Sequence, residues 1–254
     1  HLAQLYEQLS DIKEAAKYYE LASKAYDIAA KKIPKLKDFY NNYSLYMMAW
    51  NQIQQAKQSH FREDYLQAMV QFNKAAIFLE KSQLWIYLSP NYYAWEQVEK
   101  GEDLSRKENQ SEAIRSFLLA IQYFEKASEM LKTKNDSLES PEEQELRKRL
   151  LKSSNIRQRY CRARISLEEA KILDKKGNYN LSSTNYQSAS LEFGQIIKEI
   201  GSEAEKKELK LMEILCLAWE KMALAEETTS SEFYLEAAKY FDQAKTFSVT
   251  KSRI

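Results

Sequence analysis

Ala49-Trp50-Asn51-Gln52-Ile53-Gln54-Gln55-Ala56, followed after eleven residues by Ala68-Met69-Val70-Gln71-Phe72-Asn73-Lys74-Ala75, is the stretch that decides the fold. Its pattern returns at Ala94, Trp95, Val98, Gly101 with Ala113, Phe117, Ala120. It returns again at Ala163, Arg164, Leu167, Ala170 with Ser182, Tyr186, Ala189, and at Ala218, Trp219, Met222, Ala225 with Ala237, Phe241, Ala244. A truncated copy opens the chain with Ala3, Ala15, Tyr19 and Ala22. In every copy the small residue closing the first half stands twelve residues before the small residue opening the second. Small, aromatic, small at i, i+4, i+7 places three side chains on one helical face. The small residues admit a neighbouring helix and the aromatic fills the space beside them.

Between the halves lie turn and N-cap residues: Ser10-Asp11, Asp64-Tyr65, Asn109-Gln110, Gly177-Asn178-Tyr179 and Ser231-Glu232. Each unit therefore reads as a helix, a tight turn and a second helix packed antiparallel. The expected helices span about 2–10, 11–32, 36–61, 64–83, 90–107, 110–132, 141–176, 179–199, 203–228 and 232–249. Pro34 stops the second of these, Pro90 fits the first turn of the fifth, and Ser140-Pro141-Glu142-Glu143 starts the seventh.

These motifs resemble the tetratricopeptide repeat (TPR) family. Gly177-Asn178-Tyr179 with Ser182, Tyr186 and Ala189 is the closest match, and Ala3, Tyr6, Ser10, Ala15, Tyr19, Ala22 the next. The family repeats every 34 residues, whereas the second-half motifs here start at 15, 68, 113, 182 and 237. The additional residues have helical character, so the helices are longer than the family's. The resemblance implies an all-α, right-handed, TPR-like superhelix of about ten antiparallel helices in five hairpins, the first truncated. One domain over 1–254 is expected, with 133–140 the only stretch suited to a sub-domain seam. The short first copy implies that the chain is a portion of a longer polypeptide.

Composition agrees with an all-helical chain: four Gly and three Pro among 254 residues leave little material for tight-turned sheets. The net charge is +1, which gives no global attraction to nucleic acid or membrane. The longest apolar run, Leu84 to Leu88, falls far short of a membrane span. Cys161 and Cys216 share one register, two residues before Ala163 and Ala218, as buried apolar positions would. Two helical thiols suit a reducing compartment, and the cytoplasm is the expected location.

Two groups of residues bear on function. The slot holding Trp50, Trp95 and Trp219 takes Arg164 in the fourth copy. It reads either as an aromatic ladder for a partner segment or as packing against the second helix of the preceding copy. Between Arg147 and Arg164 there are eight Lys or Arg and no acid. At 100° per residue Lys148, Lys152, Arg159 and Arg162 form one stripe, suited either to an anionic partner or to a solvated face.

The aromatic stretch from Trp85 to Trp95 reads either as core at a repeat junction or as a hydrophobic patch for a partner. The two histidines, His1 and His60, have no ligand-spaced Cys or carboxylate, and no phosphate-cradling glycine loop or nucleophile motif is present. The expectation is a non-enzymatic scaffold, without cofactor or metal, binding a partner protein or peptide in a concave groove. That partner is acidic in character if the basic stripe receives it. The alternative is an anion- or nucleic-acid-responsive regulatory module using 147–164, with nucleic acid the lesser expectation.

Overall fold

A computed structural model of the chain describes residues 1–133 and 141–251. Most of the expected seam at 133–140 lies outside these residues. Among the described residues the secondary structure is helical throughout, with ten α-helices and two short 3-10 turns. The helices are α1 (Leu2–Gln8), α2 (Ile12–Lys32), α3 (Lys37–Phe61), α4 (Tyr65–Lys81) and α5 (Ser89–Arg106). They continue with α6 (Gln110–Thr133), α7 (Pro141–Lys175), α8 (Tyr179–Glu199), α9 (Glu203–Thr228) and α10 (Ser231–Lys251). Pro34 opens the 3-10 turn Pro34–Leu36, and Pro90 sits in the first turn of α5, where its missing N–H costs nothing.

The chain groups into two compact units, one formed by His1–Arg106 with Leu119–Ser154, the other by Lys107–Leu118 with Asn155–Ile254. In the first, consecutive helices pack against each other from α1 to α5. Its core gathers Ala49, Ile53, Ala56, Phe72, Ala75 and Leu79, flanked by Tyr46, Trp50, Trp85, Tyr92 and Trp95. In the second, α8 packs on α9 and α9 on α10. Its core is built on Leu167, Ala170, Tyr186, Ala189, Phe193 and Cys216.

The residues bounding each twelve-residue spacer are all buried. At Ala170 and Ser182 the approach is direct: the Ser182 hydroxyl donates to the Ala170 carbonyl at 3.0 Å. A larger residue at either place would hold the two helices apart.

Four of the five turns share one backbone device. Ser10, Glu63, Glu108 and Gly177 each stand five residues before the second small residue, and each has positive φ, between 57° and 72°. In three of them the following residue donates back five positions, as Asp11 N–H does to the Tyr6 carbonyl at 2.9 Å. Asp64 N–H to Ser59 and Asn178 N–H to Leu173, both at 3.0 Å, repeat it. This left-handed stop satisfies orphan carbonyls at the helix end. Asp11 and Asp64 then cap the next helix through their side chains, accepting from Glu14 N–H at 3.1 Å and Gln67 N–H at 3.2 Å.

The fifth turn places this device differently: α9 ends at Thr228 as expected, the left-handed residue is Thr229, eight residues before Ala237, and α10 starts at Ser231, one residue earlier than expected.

Candidate functional site

The slot residues of the repeat take one consistent place. Trp50 stacks on Tyr19, with ring centroids 5.9 Å apart, and Trp95 on Phe72 at 5.7 Å. In the second unit Trp219 lies 5.8 Å from Tyr186, and the Arg164 guanidinium lies 5.3 Å from the centre of the Phe117 ring. In each case the slot residue of one copy covers the second-half aromatic of the copy before it. The tryptophans are half-buried and Arg164 is buried. Arginine replaces tryptophan here because a guanidinium also presents a flat face to a ring.

Arg164 brings charge into the interior. Its Nη2 is 3.6 Å from the Glu168 carboxylate, one helical turn on, and Lys171 Nζ is 2.8 Å from the same carboxylate. Glu168 is fully buried, so these cations balance a charge that could not stand there alone. Met212 Sδ lies 4.0 Å from Arg164 Nη1.

Glu168 also marks a position that sequence reasoning missed. Two residues before the first small residue stand Gln54, Glu99, Glu168 and Ala223 in successive copies, and all are buried. Gln54 donates to Glu7 at 2.8 Å, and His60 Nδ1 lies 2.9 Å from Glu99. Glu7 and His60 hold equivalent places in the preceding copies, four residues after the small residue. A polar bond thus pins each helix of this pair to its predecessor beside the aromatic stack. The available signal was a polar residue recurring at one register position on an otherwise apolar stripe.

Glu7 accepts from Gln54, from Lys57 at 2.9 Å and from the Tyr19 hydroxyl at 3.1 Å. Burial alone would raise its pKa, but the Lys57 ammonium and the donated bonds outweigh burial and hold the carboxyl below its usual range. Tyr19 is pushed well above the ordinary phenol value by burial and by the adjacent carboxylate.

The basic stretch separates into parts. Lys148 and Lys152 are exposed and belong to the first unit. Arg159 and Arg162 belong to the second, where Arg162 is exposed. Arg159 is held by the carboxylates of Glu199 and Glu192 and donates to Gln195 at 3.0 Å, all from α8. Arg157 likewise bonds Glu205 of α9 at 2.7 Å.

Both thiols are buried, and burial pushes the Cys216 thiol up to about 12. Among the described residues no group of three or more His, Cys, Asp or Glu is arranged to hold a metal ion. Among them, too, no helix is long and apolar enough to cross a membrane.

One register position departs from the rest. Tyr19, Phe72, Phe117 and Tyr186 are 5%, 4%, 0% and 3% exposed, whereas their counterpart Phe241 on α10 is 36% exposed. Tyr234, two turns earlier on the same face, is exposed as well. No protein family, curated protein or solved structure matches the chain.

Proposed function

We propose that the chain is a non-enzymatic, TPR-like interaction scaffold of the cytoplasm that binds another protein or its peptide segment, and that the exposed face of α10 around Phe241 accepts a helix. The observation that carries the reading is the exposure of Phe241, when its four counterparts each lie beneath a Trp or Arg of the next helix. The internal examples specify the ligand chemistry. The covering helix carries Trp or Arg directly after a small residue, an apolar residue three positions on and a small residue six on, as in Ala218, Trp219, Met222 and Ala225. Such a helix would place its aromatic or guanidinium plane on Phe241 and its small residues against α10. The two buried thiols suit the reducing compartment this reading assumes.

A labelled peptide copying residues 203–228 tests it by fluorescence anisotropy. Saturable binding is expected, weakened by at least about tenfold when Trp219 of the peptide is Ala or when the protein carries Phe241→Ala. Equal binding by both peptides, or full binding to Phe241→Ala, would refute the reading.

A further inference from the structure

In the first unit, two neighbouring turns present large apolar side chains to solvent. Ile33, Leu36 and Phe39 lie between α2 and the first turn of α3, and Leu84 and Ile86 lie between α4 and α5. All five are at least 42% exposed. The two turns are tied side by side. Asn42 of α3 accepts from the Ser82 hydroxyl at 2.8 Å and from Gln83 N–H at 2.7 Å. The Trp85 ring packs on Tyr46, centroids 4.3 Å apart, and on Tyr43 at 4.8 Å. The apolar side chains are therefore carried on an anchored platform.

The same face is locally basic in a chain whose net charge is only +1. Lys31, Lys32, Lys35 and Lys37 stand exposed within seven residues, with Asp38 the one acid from 31 to 39. Lys81 adds a further cation at the end of α4. Glu80, the nearest acid to it in sequence, accepts from the Tyr93 hydroxyl at 2.8 Å.

We propose that this paired-turn face docks on an anionic lipid surface. The five apolar side chains would enter the headgroup layer while the lysine stems lie along it and their ammonium groups meet lipid phosphates. A lipid surface fits better than a protein. These side chains stand on turns at helix ends, and an interface that deforms around each of them needs no matched pocket. The combination of apolar and cationic groups supplies the two signals that stable peripheral attachment requires.

Flotation of the 254-residue chain with phosphatidylcholine vesicles, with and without phosphatidylserine, tests the proposal. Binding is expected only with phosphatidylserine, and is lost at high salt. Lys35→Glu with Lys37→Glu should weaken it by about tenfold or more. Leu36→Ser with Phe39→Ser should weaken it at low salt, whereas Leu191→Ser, an exposed leucine of α8, should leave it unchanged. All positions are exposed, and circular dichroism checks that each variant folds; should the apolar pair fail, the lysine pair still decides. Absence of phosphatidylserine-dependent binding overturns the proposal, as does equal binding by the lysine variant. Saturable binding to an acidic helical peptide with none to the vesicles assigns the face to a protein and overturns it too.

Discussion

Replacing Arg164 by Ala tests whether the repeat slot is structural. The guanidinium does two things at once. It covers Phe117 at 5.3 Å in a water-poor setting, where such a contact is worth about 2 kcal/mol. It also supplies one of the cations beside the fully buried Glu168 carboxylate, and removing one partner of a buried pair costs about 3–5 kcal/mol. The two terms overlap, and Lys171 stays at 2.8 Å from Glu168, so the expected loss is about 3 kcal/mol. That corresponds to a fall of about 6–12 °C in Tm for a chain of this size. Hydrogen exchange read on peptides from α8 and α9 reports the second unit directly, and protection there should fall by about a hundredfold. Arg164→Trp with Glu168→Ala copies the pairing of Trp219 with Ala223 in the last copy and should recover more than half of the loss. A change in protection below about fivefold for Arg164→Ala would refute the argument.

Other consequences are open to direct measurement. Gly177 has φ +72° with open space where a Cβ would stand, so Gly177→Ala should cost about 1 kcal/mol from backbone strain alone, while Ser10→Gly, at φ 60°, should gain a similar amount in urea unfolding. Cys161 and Cys216 should react with a thiol reagent at pH 8 only at the rate of unfolding, because both are buried and burial pushes the Cys216 thiol up to about 12. Glu7 has a lowered pKa, so its contribution is complete above the ordinary value of 4.5 and lost as pH falls through the folded value. Glu7→Gln should therefore flatten the acid limb of the stability profile. Inserting Gly-Ser after Glu63 should cost about 2 kcal/mol by breaking the stop and the Asp64 cap, whereas the same insertion after Lys35 should cost under about 1 kcal/mol, as an exposed turn lengthens cheaply.

Helix positions were legible because periodicity and small residues act locally. The spacer between Ala56 and Ala68 or between Ala170 and Ser182 fixes where a turn must fall, and Pro34 and Pro90 punctuate the chain by their own chemistry. The left-handed residues were not legible. Ser10, Glu63 and Glu108 have side chains that do not announce positive φ, and the geometry is imposed by two helices that must meet at once. The start of the last helix was read one residue late because Ser231 is as good at starting a helix as at making a turn. In the basic stretch, counting charges along the sequence could not reveal that Arg159 is held by Glu192 and Glu199, which arrive from α8. Gln54 and Glu99 were passed over for a related reason. A single polar residue on a helix reads as solvated until a neighbouring helix covers it.

The irregular spacing of the copies has a physical resolution in the placement of their fixed contacts. The aromatic stack joins the residue four after the second small residue to the residue six before the next first small residue. The polar bonds of Gln54 and Glu99 use positions two before and four after. All these offsets are measured from residues beside the left-handed turns. Length can therefore be added at the opposite ends of the helices without disturbing any of them, which is why an 18-residue α5 and a 35-residue α7 can carry the same motif. The turn ends are constrained by the stop, the cap and two interhelical contacts, and little there can vary. The opposite ends are released from those constraints. In the first unit they carry the exposed Leu36, Phe39, Leu84 and Ile86. Selection for a binding surface can act at such ends with least cost to folding, so the apolar and basic side chains on the paired turns call for an explanation outside the stability of the unit.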